Sequence, residues 1–337
     1  MRLGTITRLA LLAALATGCT AASADAEAIK IGLGKTAANG ANFIAIEKGY
    51  YQAEGLDAEI AYFDSAEPIA VAVVSGAVDF GATGPGGAFY NLAGQNAVRI
   101  IAGLASEGPG FPVFVFGVSN AAYANGLKTY NDFGGHSGSV TQLGAAAHYA
   151  YALLEAKHGI DPNGVRIVPL QSQANQISGL TGGQTDTAII LATLALPAVN
   201  RGDIKSLGFV GEEVSFQTGI IFTAAKTADN NRDRVERFLR GYRKGARDYH
   251  DAFVGPDGKR RNDGPGVTEI LAIISKYVAQ SPEQVKASIA YVDPNAALDT
   301  ADIARQIAWY QSQGMVKAGV TPEQAYDKRY VVPLAAR

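Results

Sequence analysis

The fold is decided by one stretch of sequence, FIAIEKGYYQAEGLDAEIAYF, at residues 43–63. Its first part is apolar and continues a helix that we expect to begin after Asn39, a residue type that favours helix starts. Gly55 is expected to end this helical region, because glycine adopts the left-handed conformation without a steric penalty. The pattern of residues 57–63 then predicts a strand. The stretch therefore predicts a helix that leads directly into a strand.

The same alternation continues on both sides of this stretch. Before residue 118, further strands are predicted at residues 29–33, 78–82 and 98–104, with helices between them. After residue 118, strands are predicted at 165–170, 186–191 and 204–210, again separated by helices. The chain is helical in pattern after residue 229. Strands that alternate with helices of this length predict an α/β fold with parallel sheets.

The order of these elements predicts two lobes rather than one. A chain of 337 residues exceeds the roughly 250–300 residues at which single cores stop growing. Residues 28–112 with 213–337 are assigned to lobe 1, and residues 113–212 to lobe 2. Extended segments around Phe111 and Phe216 would carry the chain between the lobes. The short pattern of residues 74–81 recurs at 180–187, once in each lobe, which favours two similar lobes. Two such lobes would leave a cleft between them and a hinge that joins them.

Composition and the amino-terminal segment limit the classes of function. Hydrophobic residues make up 47% of the chain and charged residues 18%, which suits a folded core. The net charge is −2 without a basic run, so no nucleic-acid partner is expected. Residues 1–24 resemble a signal peptide that ends at Ala24, and Cys19 offers an alternative site for a lipid anchor. Cleavage after Ala24 would remove the only cysteine, and no metal ligand set or cofactor is predicted.

Candidate ligand-binding residues lie where predicted strands pass into helices. Ligands of α/β proteins bind outside the carboxyl ends of the strands, where helix starts expose backbone N–H groups. The candidates at these junctions are Lys35, Thr36, Asn39, Asp64, Ser65, Thr83, Gly84, Ser137, Ser139 and Thr141. Residues 137–141 are expected to open a long helix that spans about 140–157. Residues 64–67 fit a capping box with Asp64 at the N-cap, and an Asp64 that instead faced the cleft would favour a ligand with a donor or a positive centre.

Two motifs suggest enzymes, and both are incomplete. Residues 34–36 read GKT, the end of a phosphate loop, but Ile29 stands where that loop needs its first glycine. Residues 135–139 resemble the turn that carries a nucleophilic serine, with Ser137 in the reactive place. No apolar strand is predicted before this turn, and the histidines that could serve as bases are badly placed in chain order. A secreted serine hydrolase that uses Ser137 is therefore the alternative, and no catalytic residue is predicted.

The block at residues 43–57 resembles the nitrate, sulfonate and thiamine-precursor class of ABC substrate-binding proteins. That class has an apolar helix followed by the pattern A-x-x-K-G-y-F-x-x-x-G-L-d-v, and weaker G-x-v-D-a matches follow at 76–81 and 183–188. Residues 159–161 match a further glycine step, and the resemblance extends over residues 28–225. It implies a type II periplasmic-binding fold and adds Leu191 to the candidate binding residues. The first loop departs from the class because it lacks the frequent proline and aromatic residues.

The resemblance also implies a function. The protein is expected to be a monomer in the periplasm that delivers a small organic anion or a heteroaromatic compound to an ABC permease with a cytoplasmic ATPase. Sulfonates, carboxylates and pyrimidines all remain open as ligands. The cysteine-rich motif of the related thiamine-pyrimidine synthases is missing, which argues against an enzyme. A binding subunit of a TRAP-type transporter or of a sensor is the other alternative.

Overall fold

The computed structural model describes residues 26–162 and 164–335. The predicted signal peptide and Cys19 lie outside these described residues. The strands are β1 (Glu27–Leu33), β2 (Leu56–Tyr62), β3 (Phe80–Thr83), β4 (Val98–Glu107), β5 (Phe114–Val118), β6 (Ser137–Val140), β7 (Arg166–Pro169), β8 (Thr187–Leu191), β9 (Lys205–Phe209) and β10 (Phe216–Ala224).

The α-helices alternate with these strands up to β10, except between β4 and β5 and between β9 and β10, and then follow one another to the end of the described chain. They are α1 (Gly40–Glu47), α2 (Ala66–Ser75), α3 (Gly87–Gly94), α4 (Asn120–Ala124), α5 (Ala146–His158), α6 (Gln173–Thr181), α7 (Ala192–Arg201), α8 (Ala225–Asn230), α9 (Arg232–Phe253), α10 (Val267–Val278), α11 (Pro282–Lys286), α12 (Thr300–Ser312) and α13 (Pro322–Ala325). None of the helices in residues 26–162 and 164–335 combines the length and apolarity that crossing a bilayer requires.

The strands of the described chain form two five-stranded sheets. Sheet 1 has the order β2-β1-β3-β10-β4, and sheet 2 has the order β7-β6-β8-β5-β9. β1 runs parallel to β2 and β3, and β6 runs parallel to β7 and β8. The predicted α/β fold with two sheets is therefore confirmed. We use the names lobe 1 and lobe 2 for the parts built on sheet 1 and sheet 2.

One strand in each sheet runs against the expected parallel direction. β10 pairs antiparallel with β3 and β4, and β5 pairs antiparallel with β8 and β9. These are the two strands that enter their sheet directly from the other sheet. No helix precedes them to carry the chain back to the end of the sheet at which the parallel strands begin. A parallel pairing needs such a crossover connection, so the two crossings explain the two antiparallel strands.

Hydrogen bonds tie together the two segments that cross between the sheets. The buried Glu107 at the end of β4 accepts hydrogen bonds from the N–H groups of Val113 in the first crossing (3.1 Å) and of Phe114 at the start of β5 (3.0 Å). Glu212 in the second crossing accepts from the N–H of Gly110 in the first, at 2.8 Å. Burial raises the pKa of Glu107 to about 8 in spite of these bonds. The crossings are therefore held in register by side-chain bonds to backbone.

The helices after β10 pack mainly on lobe 1. Phe238 of α9 stacks on Phe80 of β3, with ring centroids 3.8 Å apart, and on Tyr51, at 5.2 Å. α12 contacts lobe 1 through Asp302, whose carboxylate accepts the N–H of Gln217 at 2.8 Å. It also reaches lobe 2, because the Tyr310 hydroxyl donates to the carbonyl of Ala145 at 3.2 Å. The long carboxyl-terminal part of the chain thus supports one lobe and contacts the other.

The prediction that residues 137–141 open a long helix is wrong. Residues 137–140 form β6, which lies between β7 and β8 in sheet 2, and α5 begins only at Ala146. The small residues are required because the Tyr151 ring packs over this strand. A Cβ at Gly138 would lie 2.8 Å from that ring. The strand lacks the apolar side chains that usually identify a buried strand, so its sequence resembled a helix start.

The predicted capping box at residues 64–67 is also wrong. Ser65, not Asp64, is the N-cap residue of α2, and no side-chain cap bond is present at this described helix start. Glu67 is engaged elsewhere, because its carboxylate accepts a hydrogen bond from the Nε2 of Gln142 in lobe 2 at 2.8 Å. The helix therefore begins one residue later than the box requires, and its first N–H groups are not covered by a side chain.

Candidate functional site

A cavity of about 150 Å³ lies between the two sheets. Lobe 1 contributes residues just beyond the ends of β1, β2 and β3, and lobe 2 contributes residues just beyond the ends of β6 and β8. Val113 of the first crossing, Phe114 at the start of β5 and Thr218 of β10 complete the wall. The carboxyl ends of parallel strands meet at one edge of a sheet, and here two such edges face each other. This is where an α/β protein is expected to bind a ligand.

Eight of the candidate binding residues come together around this cavity. They are Thr36, Asn39, Asp64, Ser65, Thr83, Gly84, Thr141 and Leu191. They come from five separate strand-to-helix junctions; the residues alone gave seven of the eight, and the family resemblance added Leu191. Asn39 is buried, whereas Asp64 is exposed at the cavity mouth. The convergence supports these residues as a binding site, and their contact with a ligand stays a prediction.

The remaining three candidates do not line the cavity. Lys35 is exposed, and its Nζ lies 4.9 Å from the centroid of the Tyr62 ring. Ser137 and Ser139 are buried in β6. The Ser137 hydroxyl donates to the Asp186 carboxylate at 2.8 Å and accepts from the Asp186 N–H at 2.9 Å. We correct the assignment of these three residues, because one points to solvent and two form part of sheet 2.

The arrangement around Ser137 does not favour a serine hydrolase. Such an enzyme needs the serine hydroxyl bonded to an imidazole that can take its proton. Here the hydroxyl is bonded to a carboxylate, and the nearby His136 places its Nδ1 3.4 Å from the same Asp186 oxygen. His148 lies on the first turn of α5, where its Nδ1 accepts from the N–H of Gly144 at 3.0 Å. Neither imidazole is shown to contact the Ser137 hydroxyl.

Two helices point uncapped amino-terminal ends at the cavity. Ser65, the N-cap of α2, makes no side-chain cap bond in the described structure, and Ala145, the N-cap of α5, has no polar side chain to offer. Ala66 and Ala146, the first residues of these helices, line the cavity. The first N–H groups of a helix have no partner within the helix. The cavity is thus bordered by backbone donors from both lobes.

The charge of the cavity wall is low. Asp64 is the single ionisable side chain among the described residues that line it, and none of them is Lys, Arg or His. Most of the wall is apolar, with Phe63, Ile69, Leu104 and Phe114 as its larger side chains. No group of three His, Cys, Asp or Glu side chains converges anywhere in the described ranges, so we assign no residues to a metal. The wall therefore suits a small, largely apolar ligand with a few polar atoms.

Sequence reasoning missed several residues of the wall, including Gln173 and Thr218. Gln173 opens α6 directly after β7, so the junction argument that found the other candidates could have found it. Its Oε1 accepts the N–H of Leu191 at 2.9 Å, which orients its amide group. Thr218 lies within β10 where the register with β4 is irregular, and its hydroxyl donates to the carbonyl of Ala105 at 3.1 Å. No local sequence pattern identifies Thr218 as a lining residue, because it reaches the cavity only through the crossing of the chain from lobe 2 to lobe 1.

Hydrogen bonds between the lobes close the cavity on one side. In the segment that leads into α5, the carbonyl of Gly144 accepts a hydrogen bond from the N–H of Gly87 at 2.9 Å. The bond from Gln142 Nε2 to Glu67 joins the same segment to α2. On another side of the cleft, the Nε2 of Gln280 donates to the carbonyl of Thr193 at 2.5 Å. The two lobes are therefore in direct contact around the cavity.

Solved structures with this architecture include several ligand-binding proteins. The ligand binding component of an ABC-type import system from Staphylococcus aureus matches with a TM-score of 0.70 at 12% identity, over 90% of this chain and 97% of that chain. The alkanesulfonate-binding protein SsuA from Xanthomonas axonopodis pv. citri, bound to MOPS, matches with a TM-score of 0.68 at 16% identity, over 93% and 100% of the two chains. At these identities the likeness shows the fold.

A third neighbour is the periplasmic nitrate-binding protein NrtA from Synechocystis, with a TM-score of 0.68 at 13% identity, over 88% of this chain and 83% of that chain. No curated protein is significantly similar in sequence. The family model described as NMT1/THI5 like matches residues 39–252. This match covers more than half of the chain and includes the stretch at residues 43–63. The chain belongs to the NMT1/THI5-like family.

Proposed function

We propose that this protein is the solute-binding component of an ABC importer, which holds a small ligand between its lobes and delivers it to a membrane permease. The observation that carries the proposal is the cavity between the two sheets, whose wall combines strand ends and helix starts from both lobes. The family match and the folds of the sulfonate-binding and nitrate-binding neighbours support it. The serine hydrolase, the TRAP-type subunit and the sensor are not proposed, because no observation favours them.

The mechanism follows from the position of the cavity. A ligand that contacts Thr36 or Ser65 in lobe 1 and Thr141 or Leu191 in lobe 2 stabilises the closed arrangement relative to an open one. The segments at residues 108–113 and 210–215 would act as the hinge, since they alone carry the chain between the sheets. Lobe 1 would comprise residues 28–112 and 213–337, and lobe 2 residues 113–212. Closure would then form the surface that the permease recognises.

Further parts of the proposal concern location and chemistry. The protein would act outside the cytoplasm, directed there by the signal peptide predicted at residues 1–24, as a monomer. The permease would work with a cytoplasmic ATPase that supplies the energy. Among the described residues that line the cavity there is no histidine, lysine or cysteine, and the Thr218 hydroxyl donates to a backbone carbonyl, so we propose binding without a chemical change of the ligand.

The test is ligand binding by mature protein that has been unfolded, dialysed and refolded to remove any bound compound. A thermal-shift screen would cover sulfonates, carboxylates, nitrate, amines, amides and pyrimidines, followed by calorimetry of the hits. A ligand at 100 times its Kd should add about 2.7 kcal/mol to the free energy of unfolding. Mass spectrometry after incubation should recover the bound compound unchanged.

Matched variants connect binding to the cavity. Ala146→Leu adds three carbons to the cavity wall and should weaken binding at least tenfold. Ala121→Leu makes the same change on the exposed surface of α4 and should bind as the parent protein does. Equal binding by both variants would show that the ligand sits elsewhere. Turnover of the compound, or the absence of any hit in the screen, would contradict the proposed function.

A further inference from the structure

A histidine next to the cavity is bonded to the segment of lobe 2 that contacts lobe 1. We propose that neutral His148 holds the two lobes together, and that its protonation in mild acid parts the lobes and releases the ligand. The release of a ligand rests on the proposed function. The movement of the lobes does not, because it can be measured in protein without a ligand.

The connection begins with a hydrogen bond that only a neutral imidazole can make. The Nδ1 of His148 accepts the N–H of Gly144 at 3.0 Å. Because Nδ1 is the acceptor, the hydrogen of the neutral ring lies on Nε2, and an added proton must go to Nδ1. Protonation therefore replaces this bond with two donors that face each other, and the Gly144 segment has to move to separate them.

Gly144 is also a point of contact between the lobes. Its carbonyl accepts the N–H of Gly87, the first residue of α3 in lobe 1, at 2.9 Å. The approach is close, because a Cβ at Gly86 would lie 2.4 Å from that carbonyl oxygen. Gly144 has a φ of +77°, which glycine adopts more readily than other residues. The bond to His148 thus fixes a turn whose carbonyl must be in place for the lobes to meet.

The imidazole ring is itself enclosed where lobe 2 meets α12. His148 is 9% exposed, and the Trp309 ring of α12 meets it edge to face, with ring centroids 5.2 Å apart. This enclosure lowers the pKa of His148 to about 4. Lobes that part would give the ring access to water, where an imidazole takes up a proton near pH 6.5. Acid therefore favours the arrangement in which His148 is exposed.

No charged neighbour reverses this direction. The ionisable side chains that surround His148, from its own helix and from α12, are those of Tyr149, Glu155, Asp302, Arg305 and Tyr310 among the described residues. The lowered pKa of His148 comes from burial. The two tyrosines stay neutral, because burial raises the pKa of each hydroxyl. Burial also raises the pKa of Asp302, so the experiment must separate this carboxyl group from His148.

Paired spin labels on the two rims of the cleft test the proposal in mature protein freed of any bound compound. The mature chain would lack Cys19, so Val71→Cys on α2 and Ala174→Cys on α6 supply the two label sites, and both positions are exposed. Pulsed dipolar spectroscopy would give the populations of short and long distances at pH 7.5 and pH 5.0. We expect the short distance at pH 7.5. A pKa that changes from about 4 to 6.5 on parting raises the ratio of parted to closed molecules about 25-fold at pH 5.0.

Matched variants assign the response to one side chain. His148→Gln keeps an acceptor for the Gly144 N–H and cannot be protonated, so its short distance should persist at both pH values. His250→Gln makes the same change on α9 and should part in acid as the parent protein does. Lobes that are already apart in the parent protein at pH 7.5, a distance that does not change with pH, or equal parting of His148→Gln would each overturn the proposal.

A ligand from the screen tests the release. It should bind more weakly to the parent protein at pH 5.0 than at pH 7.5, and this loss should be smaller in His148→Gln. An equal loss in both proteins would overturn the part of the proposal that concerns release. A screen without any ligand would contradict the proposed function, and the distances would still decide whether His148 holds the lobes together.

Discussion

Two aspartates at equivalent places, Asp79 and Asp186, explain the repeated pattern in the two halves of the sequence. The Asp79 carboxylate accepts the backbone N–H of Lys30 in β1 at 2.7 Å. The Asp186 carboxylate accepts the backbone N–H of Ser137 in β6 at 2.9 Å. Each aspartate precedes a strand and binds the neighbouring parallel strand, so the repeat has a structural role in holding two strands in register. The pKa of Asp186 is lowered because the Ser137 N–H and hydroxyl donate to its carboxylate, which outweighs its partial burial.

His148 is the residue for which we predict a measurable effect of pH. Burial lowers its pKa to about 4, and its Nδ1 accepts from the N–H of Gly144. The unfolded chain takes up a proton near pH 6.5 and the folded chain does not, so stability is lost as the pH falls from about 6.5 toward 4. The contribution of His148 to this loss should reach about 2 kcal/mol at pH 4.5, measured as the part of the change in urea-unfolding free energy from pH 7 that the His148→Gln variant lacks. The raised pKa of Glu107 acts in the opposite direction over this range, and it does so equally in both proteins.

His148→Gln isolates this contribution, because glutamine carries no titrating group and its amide oxygen can accept the Gly144 N–H. The variant should lose less free energy between pH 7 and pH 4.5 than the parent protein. His250→Gln, which alters a partly buried histidine on α9, serves as the control and should retain the parent difference. An unchanged acid loss in His148→Gln would show that other groups are responsible.

At the scale of elements, the packing of α9 on α1 depends on a glycine. A Cβ at Gly245 would lie 2.2 Å from the carbonyl oxygen of Ala41 and 3.1 Å from the side chain of Ala45. Alanine is favoured over glycine in a helix by about 1 kcal/mol. The clash is with backbone, which cannot move aside without shifting a helix. We therefore expect Gly245→Ala to destabilise the protein by about 2 kcal/mol in urea unfolding.

Gly319→Ala is the matched control for this prediction. A Cβ at Gly319 would meet no atom within 4 Å among the described residues. The change should alter the free energy of unfolding by less than about 0.5 kcal/mol. A Gly245→Ala protein as stable as the control would mean that α1 and α9 are less closely packed than described.

At the scale of the whole molecule, the bond between Gln142 and Glu67 should affect ligand release. It joins the lobes next to the cavity at 2.8 Å, so opening the cleft must break it. A typical hydrogen bond contributes about 1 kcal/mol, which corresponds to about a fivefold change in an equilibrium constant. Gln142→Ala should therefore accelerate dissociation of a bound ligand about fivefold in stopped-flow measurements, if the proposed function holds. Gln95→Ala, on an exposed part of lobe 1, should leave the rate unchanged.

Much of the fold and site could be predicted because the deciding signals are local. The helix and strand of residues 40–62 follow from apolar periodicity and from Gly55, and the junction rule found seven lining residues, to which the resemblance added Leu191. Each signal depends only on nearby residues, since helix caps, tight turns and apolar periodicity are properties of short stretches of sequence. The sequence by itself thus determined the α/β class, the order of the elements and most of the candidate positions.

Tertiary structure decided which of these positions face the cavity and what charge they bring. Lys35 follows β1 as Thr36 does, yet it points outward and leaves the wall without a cation. β6 is a strand because neighbours on both sides pair with it and Tyr151 covers it, which no local pattern records. Thr218 reaches the cavity only because a strand from the other lobe enters sheet 1. Long-range pairing decides such features, since it sets which side chains are covered and which remain free to bind.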